Sequence, residues 1–256
     1  MRIRKKVLLI ICIVFLLVGI ISQLGRAGLT VAPRRFFFQI DQQNTNVVEV
    51  TNNTERETQV RVYPHQPEDM NDDWYMGDWL VVYPPVLNLE PGQRRRVRFS
   101  VRAPGELEDG EYRTLLYFEQ LPAKKTDESE AEDPEVEFEL LMRVGINLYG
   151  RSGEIDHHGR LEENVVTVEG NNVQITGEFA NLGTALLIME TNLRFLNSDG
   201  EVVIEKSTPN FGVHRGERRR YEEEIELSDG ELAEVDEVEV NFLHEGEAIY
   251  GFRERL

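Results

Sequence analysis

From Leu29 onward, apolar residues alternate with polar ones along most of the chain, with a period of two rather than 3.6. Val97, Phe99 and Val101, for example, alternate with polar side chains. This alternation is typical of strands with one buried face. Turn-forming pairs separate the alternating segments at Asn52-Asn53, Pro91-Gly92, Pro104-Gly105, Asp109-Gly110, Asp199-Gly200 and Arg215-Gly216. The pattern predicts an all-β fold built of sandwiches, without an amphipathic helix after residue 27.

The two halves of the chain repeat one order of features. A strand leads to an Asn turn and a second strand, and later a Gly turn and a basic triplet begin a further strand. The Asn turns are Asn52-Asn53 and Asn181-Leu182-Gly183, and the basic triplets are residues 94–96 and 218–220. This repeat predicts two tandem immunoglobulin-like β-sandwich domains.

The predicted domains cover residues 28–150 and 151–256, with the boundary at Gly150. Residues 123–135 are rich in Lys, Asp, Glu and Ser. Such a composition cannot bury enough apolar surface to form a strand of the core. We therefore interpret this acidic stretch as a loop within the first domain.

Residues 1–27 have the composition of a targeting segment. Four basic residues precede an apolar run at residues 7–21, and Gly25 and Ala27 have the spacing of a signal-peptidase site. The run is short for a membrane span, which needs about 20 apolar residues. We expect either a signal peptide cleaved near Ala27 or an uncleaved N-terminal anchor. In both cases the rest of the chain is exported, to the periplasm or another extracytoplasmic compartment.

Charge and cysteine content exclude several classes of function. Cys12 is the only cysteine and lies in the apolar run, so the predicted mature chain has no disulfide, thiolate metal site or cysteine nucleophile. Residues 1–27 contain five basic and no acidic residues, which leaves 23 basic and 47 acidic residues and a net charge of −24 in the remainder. This charge repels nucleic acid and anionic lipid, so we expect neither as a partner. Membrane contact is expected only through residues 7–21, if they are retained.

No pattern of catalytic or metal-ligating residues stands out. The chain has no Ser/His/Asp series in a plausible order, no Gly-rich phosphate loop and no HExxH motif. His157 and His158 are adjacent, so on a strand they would point to opposite faces. The other histidines, at positions 65, 214 and 244, are isolated in the sequence. We therefore predict no enzyme activity, no cofactor and no metal ion.

Four segments of the first domain together resemble a known family. They are residues 29–38, residues 48–53, residues 82–92 with a Pro-Pro pair and a Leu-Glu-Pro-Gly sequence, and residues 111–122. In this order they resemble the N-terminal domain of the PapD-like periplasmic chaperones of the chaperone–usher pilus pathway. The second domain is similar only as an immunoglobulin-like partner.

The resemblance implies donor-strand complementation. In this mechanism the chaperone lends the last strand of its first domain to a fibre subunit whose own sandwich lacks a strand. The candidate strand is residues 136–149, in which alternate residues are apolar. The donor side chains are expected to be Val136, Phe138, Leu140 and Met142. The alternative interpretation is a long buried strand that spans both domains.

The resemblance also implies two basic residues, in a cleft between the domains, that anchor the subunit's C-terminal carboxylate. By motif position they are Arg35, with Arg34 as the alternative, and Arg143. The implied partners are pilin-like or surface-fibre subunits, with an outer-membrane usher as a further candidate. The alternative function is a structural or adhesive cell-surface protein built of two immunoglobulin-like modules and tethered by the uncleaved anchor.

Overall fold

A computed structural model describes residues 28–40, 42, 45–68, 70–122 and 140–256. Almost all regular structure in these residues is β-strand, which confirms the predicted all-β fold of two immunoglobulin-like sandwiches. The first compact unit contains residues up to Pro104 and Arg113–Tyr149, and the second contains Gly105–Tyr112 and Gly150–Leu256. The targeting segment, residues 1–27, and the acidic stretch, residues 123–135, lie outside the described residues.

The first unit contains two sheets. Their strands follow the chain as β1 (Leu29–Ala32), β2 (Arg35–Gln39), β3 (Asn46–Asn52), β4 (Thr58–His65), β5 (Leu80–Tyr83), β6 (Val86–Leu89), β7 (Arg94–Val101), β8 (Gly110–Gln120) and β9 (Arg143–Ser152). One sheet has the order β1-β3-β7-β5 and the other has the order β2-β9-β8-β4-β6. Two short 3-10 turns, Asp72–Trp74 and Gly77–Trp79, precede β5.

The core of the first unit forms between these sheets from the inward members of the alternating strands. Phe36 of β2 packs edge-on against Phe99 of β7, with 5.1 Å between ring centroids, and so joins the two sheets. The side chains that are essentially inaccessible to solvent include Val48, Val50, Val60, Leu89, Val97, Phe99, Leu116, Phe118, Ile146 and Leu148. The period of two in the sequence therefore marks the buried face of each strand.

The second unit repeats the two-sheet plan. Its strands are β10 (Gly159–Glu169), β11 (Asn172–Asn181), β12 (Leu187–Leu196), β13 (Val202–Ser207), β14 (Phe211–Val213), β15 (Arg218–Glu226), β16 (Glu237–His244) and β17 (Glu247–Arg255). The sheets are β10-β11-β15 and β13-β12-β16-β17, with β14 beside β12. A single helical turn, α1 (Asp229–Leu232), is capped by Ser228. Phe179, Phe211, Tyr221 and Phe242 form an aromatic cluster in the core.

Residues Gly105–Tyr112 belong to the second unit, although the boundary predicted from sequence keeps them in the first domain. Glu111, which is 4% exposed, holds them there. Its backbone N–H donates to Thr184 O at 2.8 Å, and its carboxylate accepts from the backbone N–H of Leu186 at 3.0 Å. The carboxylate also pairs with Arg151 at 3.1 Å. A buried carboxylate needs such partners, and the second unit supplies them.

Among the residues that the structure describes, no helix has the length and apolar character of a membrane span.

Candidate functional site

The predicted donor strand begins later than the sequence pattern indicates. Strand β9 starts at Arg143, and residues 140–142 precede it without regular structure. Val136 and Phe138 lie outside the described residues. Leu140 is 91% exposed and Leu141 is 43% exposed. The described part of the predicted donor segment therefore presents apolar side chains to solvent directly before an ordered strand.

Met142 is attached to its own unit. Its backbone N–H donates to the Gln120 side-chain oxygen at 2.9 Å, and its carbonyl accepts from the Gln120 N–H at 2.9 Å. Its sulfur accepts from the Leu29 N–H at 3.3 Å. Met142, predicted as a donor side chain, is half-buried and contacts β1 and β8. These contacts fix the point at which the segment leaves the sheet.

The later apolar residues of the segment belong to the chain's own core. Ile146 and Leu148 are fully buried, and Val144 is half-buried. The apolar side chains of Val144, Ile146 and Leu148 are therefore not available to another molecule, as the interpretation of residues 136–149 as one long donor strand would require. Among the described residues of the segment, the exposed large apolar side chains are Leu140 and Leu141.

Strand β9 has an open edge next to Leu140 and Leu141. The Asn147 N–H donates to Arg34 O at 3.1 Å, and Phe37 stacks on Tyr149 with 4.9 Å between ring centroids. The order of these two contacts indicates that β2 runs parallel to β9 from Asn147 onward. Strand β2 begins at Arg35, so within the described residues no part of β2 lies beside β9 before Asn147. An unpaired strand edge is a template for a strand of another chain.

The structure does not bring Arg35 and Arg143 together. Both are exposed, but Arg35 begins β2 beside Asn147, and Arg143 lies four residues earlier on β9. At about 3.3 Å per residue, this separates Arg143 from the level of Asn147 by about 13 Å. The Oδ1 atom of Asn147 is buried and accepts no hydrogen bond among the described residues. Asn147 is thus the polar residue of β9 nearest to Arg35.

Arg143 is already engaged by side chains of β4 and β8. Its guanidinium lies 4.9 Å from the centroid of the Tyr117 ring and 3.9 Å from a carboxylate oxygen of Glu119. Glu119 also pairs with Arg61 at 2.6 Å. The hydrogen bond from Arg61, aided by the charges of Arg61 and Arg143, lowers the pKa of Glu119. Glu119 therefore stays ionised at neutral pH and competes with any other carboxylate for Arg143.

Arg34 and Arg35 differ from Arg143 in this respect. Within the described residues neither forms an ion pair. A cation at the start of a strand without a carboxylate partner can receive an anion from another molecule. The motif position predicted Arg35 as a site residue, but the sequence gave no indication of Asn147, because it does not state which strand lies beside β2. The motif position of Arg143 likewise did not indicate that this residue pairs with Glu119.

Residues 28–149 match the sequence profile described as pili and flagellar-assembly chaperone, PapD N-terminal domain. No curated protein sequence matches the chain.

Solved structures of fimbrial chaperones resemble the chain over most of its length. The E. coli chaperone DraB is 18% identical, with a TM-score of 0.48 and coverage of 90% of this chain and 96% of DraB. The YadV chaperone is 12% identical, with a TM-score of 0.49 and coverage of 90% and 100%. A chain of the CsuC–CsuE chaperone–tip adhesion subunit complex of Acinetobacter baumannii is 13% identical, with a TM-score of 0.46 and coverage of 90% and 98%. At these identities and TM-scores the likenesses carry no functional inference.

Proposed function

Because residues 28–149 make this chain a member of the PapD-like family of pili and flagellar-assembly chaperones, we propose that it is an extracytoplasmic chaperone that binds fimbrial or surface-fibre subunits by donor-strand complementation. The family is one of chaperones without enzyme activity. The observation that carries the proposal is the open edge of β9 next to the exposed Leu140.

The open edge supplies backbone hydrogen bonds to a client. A subunit whose sandwich lacks a strand has an unpaired edge of its own, and β9 before Asn147 can pair with it. Each ladder hydrogen bond contributes on the order of 1 kcal/mol. These bonds depend on backbone geometry rather than side-chain identity, so the edge fixes the direction of the client strand without selecting its sequence, and the apolar side chains set its register.

The apolar side chains supply affinity. Leu140 is 91% exposed in this chain and gains a buried environment only in a complex. Burial of a leucine side chain stabilises a complex by about 1.5–3 kcal/mol. Val136 and Phe138 alternate with Leu140 in the sequence and would enter the same groove if residues 136–142 extend the line of β9.

Arg35 is the proposed anchor for the client's C-terminal carboxylate, with Arg34 as the alternative. Its support is the lack of a carboxylate partner within the described residues and its position beside Asn147, whose amide can donate to the same anion. The prediction that Arg143 is a second anchor stays open to test. Arg143 could bind a client carboxylate only in competition with Glu119.

Export of residues 28–256 and partnership with an outer-membrane usher complete the proposal. Both follow from the family and from the composition of residues 1–27, in which a basic region precedes an apolar run. An N-terminal sequence of the mature protein distinguishes cleavage near Ala27 from a retained anchor.

Co-purification from a cell-envelope extract tests the proposed function. We expect a stoichiometric partner that mass spectrometry identifies as an immunoglobulin-like fibre subunit. The changes Phe138→Asp and Leu140→Asp should abolish its recovery, because a charge enters an apolar groove. Val165→Asp is the matched control, since Val165 is 53% exposed but lies on β10 of the second unit. Recovery of the wild-type chain alone would instead favour the structural or adhesive cell-surface role.

A competition experiment tests the anchor. Peptides of the client's C-terminal strand, with either a free or an amidated C-terminus, are titrated against the wild type, Arg35→Ala and Arg143→Ala. We expect amidation to weaken binding to the wild type by about tenfold and to have no effect on Arg35→Ala. If amidation still weakens binding to Arg35→Ala but not to Arg143→Ala, then Arg143 is the anchor and Arg35 is not.

A further inference from the structure

Two histidines that are far apart in the sequence meet in the second unit. The rings of His157 and His244 lie 4.4 Å apart between centroids, with an interplanar angle of 55°. His157 precedes β10, and His244 is the last residue of β16. The Nε2 atom of each ring is buried, and neither forms a hydrogen bond within the described residues. Two unsatisfied imidazole nitrogens in one place are costly unless a ligand uses them.

The backbone of β12 fixes the orientation of His244. This residue is 7% exposed, and its Nδ1 atom lies 2.9 Å from Ile188 O and 3.2 Å from Ile188 N. Either tautomer therefore satisfies Nδ1 with Ile188 and leaves Nε2 without a partner. In the tautomer that carries its proton on Nδ1, the ring donates to the carbonyl, and the Nε2 lone pair is directed away from β12. Metal-binding histidines commonly donate their second ring N–H to a backbone carbonyl in this way.

The charged groups near His157 are Arg151, Asp156 and Glu245. Arg151 would repel a cation, but its charge is balanced by the buried carboxylate of Glu111 at 3.1 Å.

A cavity of about 380 Å³ adjoins the histidine pair. It is lined by His157, His158, His244, Glu245, Glu247, Ala248 and Ile249. Glu245 lies in the turn between β16 and β17, Glu247 begins β17, and their two carboxylates give the cavity a negative charge. Imidazole nitrogen and carboxylate oxygen are ligands of zinc and related divalent ions.

We propose that His157 and His244 form a binding site for a divalent transition-metal ion of the zinc type in the second unit. The two Nε2 atoms are the protein ligands. No three His, Cys, Asp or Glu side chains of the described residues already form a complete ligand set. Water, or a rotated Glu245 carboxylate, therefore completes the coordination. The bound ion would link β16 to the segment that leads into β10 and would stabilise the second unit.

Zinc titration of the purified protein tests this site. The protein carries no histidine tag and is first treated with EDTA, and heat release on addition of Zn²⁺ is followed by calorimetry at pH 7.5. We expect a saturable 1:1 isotherm, with affinity weakened at least about tenfold in His157→Asn. His158→Asn is the matched control, because His158 is exposed and adjacent to His157, and it should bind zinc as the wild type does.

Nitrogen-15 NMR of the wild-type imidazoles provides a second measurement that needs no variant. Zinc should shift the Nε2 resonances of His157 and His244 and leave both Nδ1 atoms protonated. An isotherm that does not saturate below 1 mM Zn²⁺ would overturn the proposal. So would equal binding by His157→Asn, or zinc-induced shifts confined to the other histidines.

Discussion

The last two strands of each unit are connected in contrasting ways. In the second unit β16 and β17 are joined by Glu245-Gly246, both with positive φ (50° and 86°), as a tight hairpin turn requires. In the first unit β8 and β9 are joined by residues 121–142, in which Leu140 and Leu141 are exposed. The two units share one architecture but differ in this connection. In the second unit it is a tight turn, whereas in the first unit it is long and exposes apolar side chains next to β9. The proposed client site therefore lies where this connection meets β9, at the exposed Leu140.

Elsewhere the two units are built alike. The fully buried Asn52 side chain donates to Leu89 O at 2.9 Å and to Arg56 O at 2.8 Å, and it accepts from the Thr54 N–H at 2.9 Å. Asn181 occupies the same place in the second unit. It donates to Ala185 O and Val213 O, both at 2.8 Å, and accepts from the Gly183 N–H at 3.0 Å. The Asn turns of the sequence repeat are therefore equivalent buried hydrogen-bond centres.

The largest expected effect concerns this shared feature. Asn52→Ala should lower the free energy of unfolding of the first unit by about 3–5 kcal/mol, and Asn181→Ala that of the second by about 2–4 kcal/mol, because buried carbonyls lose their donors. Hydrogen exchange measured by mass spectrometry reports the two units separately. Asn88→Ala, at an exposed position, is the control. Equal losses in both units from either variant would contradict the independence of the two centres.

Shortening the connection in the first unit tests the contrast directly. Residues 123–139 are replaced by Gly-Gly, so that Pro122 leads into Leu140 through a short turn. We expect the fold to persist and client affinity to fall by about 100-fold, since Val136 and Phe138 are lost. Affinity is measured by calorimetry with a purified subunit. Retention of wild-type affinity would show that binding resides elsewhere on the sandwich.

The assignment of residues 105–112 to the second unit is tested at Glu111. Glu111→Gln removes the charge that pairs with Arg151 and should lower the unfolding free energy of the second unit by about 1–3 kcal/mol. The exposed Glu106→Gln is the control. Hydrogen exchange should increase in β11 and β12 and stay unchanged in β3 and β7. Faster exchange in β3 and β7 would mean that Glu111 supports the first unit instead.

The smallest expected effect is a pH dependence that distinguishes the two units. The folded second unit depresses the pKa of His157, whereas an unfolded histidine titrates near 6.5. Below about pH 6.5 the unfolded state therefore binds more protons, and the second unit loses stability as pH falls. In metal-free buffer we expect a decrease in its Tm of roughly 1–3 °C between pH 7 and pH 5, and a smaller decrease in His157→Asn. An identical decrease in both proteins would assign the effect to other groups.

Part of the candidate site could be proposed from the sequence. The alternation around Leu140 predicted an apolar donor segment, in which the structure shows Leu140 exposed, and the motif position makes Arg35 the proposed anchor. The same alternation continued through Ile146 and Leu148, which the core buries. A period of two indicates that residues share a face, but it does not indicate which molecule covers that face. The contacts of Arg143 with Tyr117 and Glu119 could not be predicted for a related reason, because the pairing of two strands depends on both of their sequences.

The sequence by itself determined the all-β class, the repeat of two sandwiches and the faces of the strands, because these follow from local periodicity and turn chemistry. Only the tertiary structure decided which distant residues became neighbours. It placed Asn147 beside Arg34, Glu111 among residues of the second unit, and His157 against His244. Strand order and register arise from hydrogen bonds between segments far apart in the chain, and many pairings are compatible with one alternating pattern.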